Sequence, residues 1–139
     1  MAKFVKPRFE DEIKSFNAIA NKVFADISQQ DIRRNLITQM VEDLKKKYTS
    51  KSVQDLKPNM WKSLQGTQSW DAETMKKIEK AIKKQEILKL KQTIIELLSE
   101  SPVDTPIIIM QNNIGMLISG EHTLIACRLL NIEPKVVMI

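Results

Sequence analysis

Residues 105–139 read TPIIIMQNNIGMLISGEHTLIACRLLNIEPKVVMI, three short apolar runs separated by turn residues and one helical period. Pro106 leads into Ile107, Ile108, Ile109 and Met110, and so short a β-branched apolar run predicts a buried strand. Gln111, Asn112 and Asn113 supply turn chemistry, because asparagine tolerates left-handed backbone and bonds its own main chain. Met116, Leu117 and Ile118 then predict a second strand, the hairpin partner of the first. Ser119-Gly120 ends it, and Thr123 to Leu130 has helical spacing through Leu124, Cys127, Arg128 and Leu130. Pro134 closes the helix connection, and Val136, Val137, Met138 and Ile139 predict a last strand.

Outward from this stretch the chain is mostly helical in pattern. Ile87, Leu90, Ile94, Leu97 and Leu98 carry a helix to Ser99, closed by Pro102 and Pro106. Before it, Met75, Ile78 and Ile82 continue an apolar face from a cap at Ser69 or Asp71, with a five-residue stumble before Ile87 that predicts a bend near Lys84-Gln85. Residues 48–70 are the least regular, with Val53 to Asn59 patterned as a short strand running into a turn. Trp61 and Trp70 flank that loop; they either stack nucleic-acid bases or anchor a core, and the core reading is the commoner one.

At the N-terminal end, Ile13, Phe16, Ala20, Val23, Phe24 and Ile27 lie on one face of a helix over 9–27, with Glu10, Asp11 and Glu12 in its first turn. Ser28 is the expected cap of a second helix reaching about Lys47, whose buried face is Ile32, Leu36, Met40, Val41 and Leu44. A joint of one or two residues folds the pair into a hairpin, which can dock on the rest of the chain or on a second copy.

Charge is unevenly distributed. The 139 residues carry a net +5, yet residues 45–91 hold thirteen basic and five acidic side chains, a balance of +8. Residues 92–139 balance at −3. A basic segment of this size is the electrostatic footprint of a polyanion such as duplex DNA; its competing reading is a solvated lysine face. Lys76, Lys77, Lys80, Lys83 and Lys84 form its densest part and are the candidate nucleic-acid contacts. Lysine outnumbers arginine eighteen to four, which favours contact without sequence preference.

Several classes are excluded or disfavoured. No apolar run approaches the roughly 18 residues of a membrane span, and acids interrupt the polar faces of the first two helices. The basic start lacks an apolar core of a secretory signal, so a cytoplasmic protein is expected. Cys127 is the only cysteine, and it falls on an apolar helix face, as a packed thiol does. One histidine, one cysteine and scattered carboxylates have no metal-site spacing, and hydrolase and phosphate-loop motifs are absent. Only Glu121, Asp104 and Asp55 are placed to serve a nuclease, so no catalytic residue is assigned and a binding protein is expected rather than an enzyme.

The order strand, turn, strand, glycine turn, helix, strand, with Pro106 to Ile109, Gly120-Glu121-His122-Thr123, Ala126, Leu129 to Ile132, and Pro134 to Ile139, resembles the ParB/sulfiredoxin superfamily. Pro58-Asn59 with Gln65 or Gln68 is similar to that family's opening turn, although its nearby arginine is missing. The Gly-x-His-Thr form of the box resembles ParB-like domains of DNA-modification systems and of phage or plasmid genomes. The resemblance implies that Gly120, Glu121, His122 and Thr123 bind a nucleotide, CTP or ATP, or another anion. ParB proteins have two arginines where this chain has His122 and Thr123, so their bidentate phosphate grip is absent. Sulfiredoxins have a catalytic cysteine where this chain has Glu121, which argues against sulfinic-acid repair. The family's site-reading helix-turn-helix lies beyond the sheet, whereas this sequence stops at Ile139, so non-specific DNA binding is expected.

The expected architecture is α+β: a small mixed-sheet ParB-like domain over residues 51–139, a helical hairpin extension over residues 1–50, and a lysine-rich helix. The expected function is that of a DNA-associated accessory protein, with homo-oligomerisation through the N-terminal helices. The competing expectation is a protein–protein adaptor that kept the fold and lost the ligand.

Overall fold

In the computed structural model, residues 3–57, 64–65, 87–99, 101–111 and 114–139 are described. The fold is α+β. A five-stranded mixed sheet has the order β2 (Gln54–Asp55), β7 (Lys135–Met138), β5 (Ile107–Gln111), β6 (Ile114–Ser119), β3 (Leu64–Gln65). β5 and β6 pair antiparallel, Ile108 opposite Leu117 and Met110 opposite Gly115, as the hairpin reading of the sequence expects. β7 then lies parallel on the other side of β5, with Ile107 opposite Val137, so the intervening helix α4 (Glu121–Leu130) is the crossover.

The apolar run at 107–109 is continuous because both faces of the sheet are covered. Ile107 and Val137 point to one face, toward the N-terminal helices. Ile108, Val136 and Met138 point to the other, where Leu124 of α4 and Leu56 close over them. Behind α4 lies α3 (Ile87–Leu98), whose Leu97 packs with Ala126, Cys127 and Val103.

A second, two-stranded ladder joins the N-terminal end to the segment that follows α3. β1 (Lys3–Val5) runs parallel to β4 (Pro102–Asp104), Phe4 opposite Val103, and the Thr105 amide donates to the Val5 carbonyl at 2.9 Å. Neither strand stands out in the sequence pattern. Pro102, expected only as a helix terminator, opens β4, a position where its missing N–H is tolerated.

The N-terminal helices differ in detail from expectation. Residues 9–12 form a 3-10 turn, and α1 covers Ile13–Val23. The joint to α2 (Gln30–Ser50) is six residues, 24–29, instead of one or two, because turn bonds such as Ile27 N–H to Phe24 O take over from the helix. Gln29, not Ser28, holds the cap position, with no side-chain cap bond. The hairpin itself forms. Its apolar face carries a stacked Phe9–Phe16 pair at 4.5 Å and an edge-on Phe16–Tyr48 pair at 5.6 Å, all in one cluster with Ile19, Leu44, Ile107 and Val137. The hairpin and the sheet thus share a core. Tyr48, one residue past the expected helix end at Lys47, is sealed by Pro7, whose carbonyl accepts its hydroxyl. The Lys6 ammonium lies over the Tyr48 ring and donates to the Tyr48 and Lys51 carbonyls at 2.5 and 2.6 Å, capping the C-terminus of α2.

Pro58-Asn59, Trp61, Trp70, the bend near Lys84 and the lysines 76, 77, 80, 83 and 84 lie outside the described residues.

Candidate functional site

The turn at residues 120–123 is where β6 passes into α4. Gly120 has φ +92°, a backbone region that side chains avoid, and a Cβ built on it would sit 2.6 Å from Pro106 Cα and 2.8 Å from Pro106 Cβ. Two independent constraints therefore require glycine here. The Gly120 carbonyl accepts the first helical bond from Leu124 N–H at 3.1 Å, so α4 begins at Glu121, two residues earlier than its apolar spacing announced. The amides of residues 121–123 consequently belong to the first turn of a ten-residue helix, whose partial positive charge suits an anion.

The four predicted residues are brought together but are not equally accessible. Glu121 is exposed, His122 half-buried and Thr123 buried. Glu121 brings a carboxylate to the helix start, where the dipole stabilises it. A second carboxylate comes from the hairpin: Ser119 Oγ donates to Glu12 Oε2 at 2.9 Å, a link across 107 residues that sequence spacing gives no means of finding. One other polar group marks this corner. Thr105, adjacent to the proline that abuts Gly120, is 1% exposed, and its Oγ1 has no hydrogen-bond partner among the described residues.

Two grooves flank the hairpin. One, of about 460 Å³, runs between α1 and β6 and is floored by Ile19, Met116 and Ile118, with Lys14 and Lys22 at its rim. The other, of about 420 Å³, lies beside α2 against the end of β5, over Leu36, Met40, Ile109 and Met110.

The described part of the basic segment is presented to solvent. Lys45, Lys46, Lys47 and Lys51 are all exposed at the end of α2. Lys45 reaches Glu10 at 3.6 Å; among the described residues no acid pairs with Lys46, Lys47 or Lys51. Lys57 sits between Asp55 and Glu133, at 4.0 and 3.3 Å, and is largely neutralised.

Cys127 is fully buried between α3 and α4, and burial pushes its thiol up to about 12. Thiol chemistry needs the thiolate, so this side chain is inert packing. Above pH 9.0, the ordinary value, an unfolded chain loses this proton while the folded one keeps it. The unfolded state then binds fewer protons, so stability falls as pH rises from about 9 toward about 12. Native protein is expected to resist a thiol-specific alkylating reagent at pH 8, and urea-unfolded protein to react fully; mass spectrometry of the two samples decides it, and rapid native labelling would contradict the packing.

Among the described residues, no group of three or more histidine, cysteine or acidic side chains is placed to hold a metal ion, and no helix is long and apolar enough to cross a membrane. No protein-family model, curated protein or solved structure matches the chain.

Proposed function

We propose that this protein is a DNA-associated accessory protein that binds duplex nucleic acid without sequence preference through residues 45–91. The observation that carries the reading is the +8 balance of that segment, in which Lys46, Lys47 and Lys51 are exposed and, among the described residues, have no acid partner. Lysines held this way exchange condensed counterions on a phosphate backbone for protein charge, which drives association without reading bases. Lys76, Lys77, Lys80, Lys83 and Lys84 add their charge to the same contact, and the protein acts in the cytoplasm as a ParB-like component of a phage or plasmid system.

The 120–123 turn is proposed as an anion site subordinate to that role, taking a nucleotide such as CTP or ATP. Its support is the left-handed glycine and the helix start that follows it, whose dipole end is positive. Glu12 and Glu121 oppose a highly charged ligand there, so binding at this turn is expected to be weak.

The test is substitution. Lys80, Lys83 and Lys84 together changed to glutamate reverse three charges, a net change of six units, and are expected to lower duplex-DNA affinity by at least about a hundredfold at low salt. His122→Ala is expected to leave DNA binding intact and to weaken only nucleotide binding. Unchanged DNA affinity in the lysine variant rules out this reading in favour of a protein–protein adaptor.

A further inference from the structure

An apolar row runs along the N-terminal half of α2, and its Met40 end also packs against the core cluster. Ile32, 49% exposed, Leu36 and Met40 recur at four-residue steps, which places them in one row along the helix. Leu36 and Met40 line the groove against the end of β5, where Met110 is also exposed, and Val23 at the hairpin tip adds a further exposed side chain, 53% accessible. Val23 and Ile32 thus leave exposed apolar side chains on either side of the hairpin joint.

The charges beside this row identify what covers it. Arg33 lies next to the row at its N-terminal end and Asp43 at its C-terminal end, and among the described residues neither has an ion-pair partner. A second α2 laid antiparallel across the row, with the two-fold axis level with Thr38, brings each residue opposite the one equally far on the other side of that level. Arg33 then meets Asp43 of the other copy, and Leu36 meets its Met40. Ile32 falls at the Leu44 end of the groove. The pattern is self-complementary in both apolar and charged positions, as an isologous contact requires. An antiparallel pair of long helices also places each helix's C-terminal lysines at opposite ends, so the like charges of Lys45, Lys46 and Lys47 do not collide.

We infer that the protein is a homodimer whose two-fold interface is the Ile32–Leu36–Met40 flank of α2, held in register by reciprocal Arg33–Asp43 ion pairs. The inference concerns the hairpin alone and does not depend on nucleic-acid binding, which uses other lysines.

Sedimentation velocity across micromolar to near-millimolar concentrations tests it with the full chain. Wild type is expected to sediment as a dimer. Arg33→Asp and Asp43→Arg alone are each expected to weaken dimerisation by roughly tenfold or more, because like charges then face each other twice per interface. The double variant, Arg33→Asp with Asp43→Arg, is expected to recover most of the loss. Ile32→Glu, at a half-exposed position that the monomer's core does not need, is expected to give a folded monomer with an unchanged circular dichroism spectrum. A wild type that stays monomeric throughout overturns the inference. So does a dimer indifferent to the single reversals, or one that the double variant fails to restore.

Discussion

Replacing Gly120 with alanine is expected to lower the unfolding free energy by about 3 kcal/mol, measured by urea denaturation. Two terms make up that figure. A left-handed backbone costs a residue with a Cβ roughly 1–2 kcal/mol, and overfilling a packed contact costs roughly 1–3 kcal/mol. Both apply here, since φ is +92° and the added carbon would approach the Pro106 backbone to 2.6 Å. Neither neighbour can retreat cheaply. Pro106 is fully buried and its carbonyl accepts from Val137 N–H at 2.9 Å, so moving it disturbs the β5–β7 pairing. A loss below about 1 kcal/mol would mean that the turn relaxes and that its glycine is not structurally required.

Tyr48→Ala is expected to have a still larger effect, about 3–5 kcal/mol, the range for deleting a buried aromatic ring. Tyr48 is 2% exposed, contacts both Phe9 and Phe16, and is covered by the Lys6 ammonium at 4.4 Å from its ring centre. Its hydroxyl is held neutral far above its ordinary range by burial, with the Glu12 and Asp104 carboxylates adding to the effect. Tyr48→Phe keeps the ring but strands the Pro7 carbonyl, and is expected to cost about 1–2 kcal/mol. The ordering Ala far below Phe below wild type, read from thermal or urea midpoints, separates packing from hydrogen bonding. Equal losses for both variants would place the hydroxyl, not the ring, at the centre of the hairpin's attachment.

These two residues also mark what sequence could and could not give. Gly120 was legible because a glycine between an apolar strand and a helical period has few other uses. The Ile107–Met110 run, its hairpin partner and the last strand were legible for the same local reasons, and the mixed sheet they imply is the one observed. Tyr48 could have been found: it continues the Met40–Leu44 four-residue step, and α2 simply runs one turn farther than its lysine cluster suggested. The hairpin joint was misjudged because Phe24 and Ile27 extend the apolar period past the point where the backbone turns. β1, β4, and the Glu12–Ser119 bond were not legible at all. Each depends on partners about a hundred residues away, and a three-residue strand such as KFV carries too short a pattern to announce itself. At the candidate anion site, the local motif identified Gly120 and Glu121, while the Glu12 carboxylate beside them emerges only once the N-terminal segment is docked.

Duplex-DNA binding at two salt concentrations, with and without CTP or ATP, shows whether the basic segment binds nucleic acid by charge. If several phosphates are neutralised, affinity is expected to fall steeply with salt, by roughly a hundredfold or more between about 50 and 200 mM, with at most a small response to nucleotide. Absence of binding even at the lower salt would contradict the account and leave residues 45–91 as a solvated lysine face.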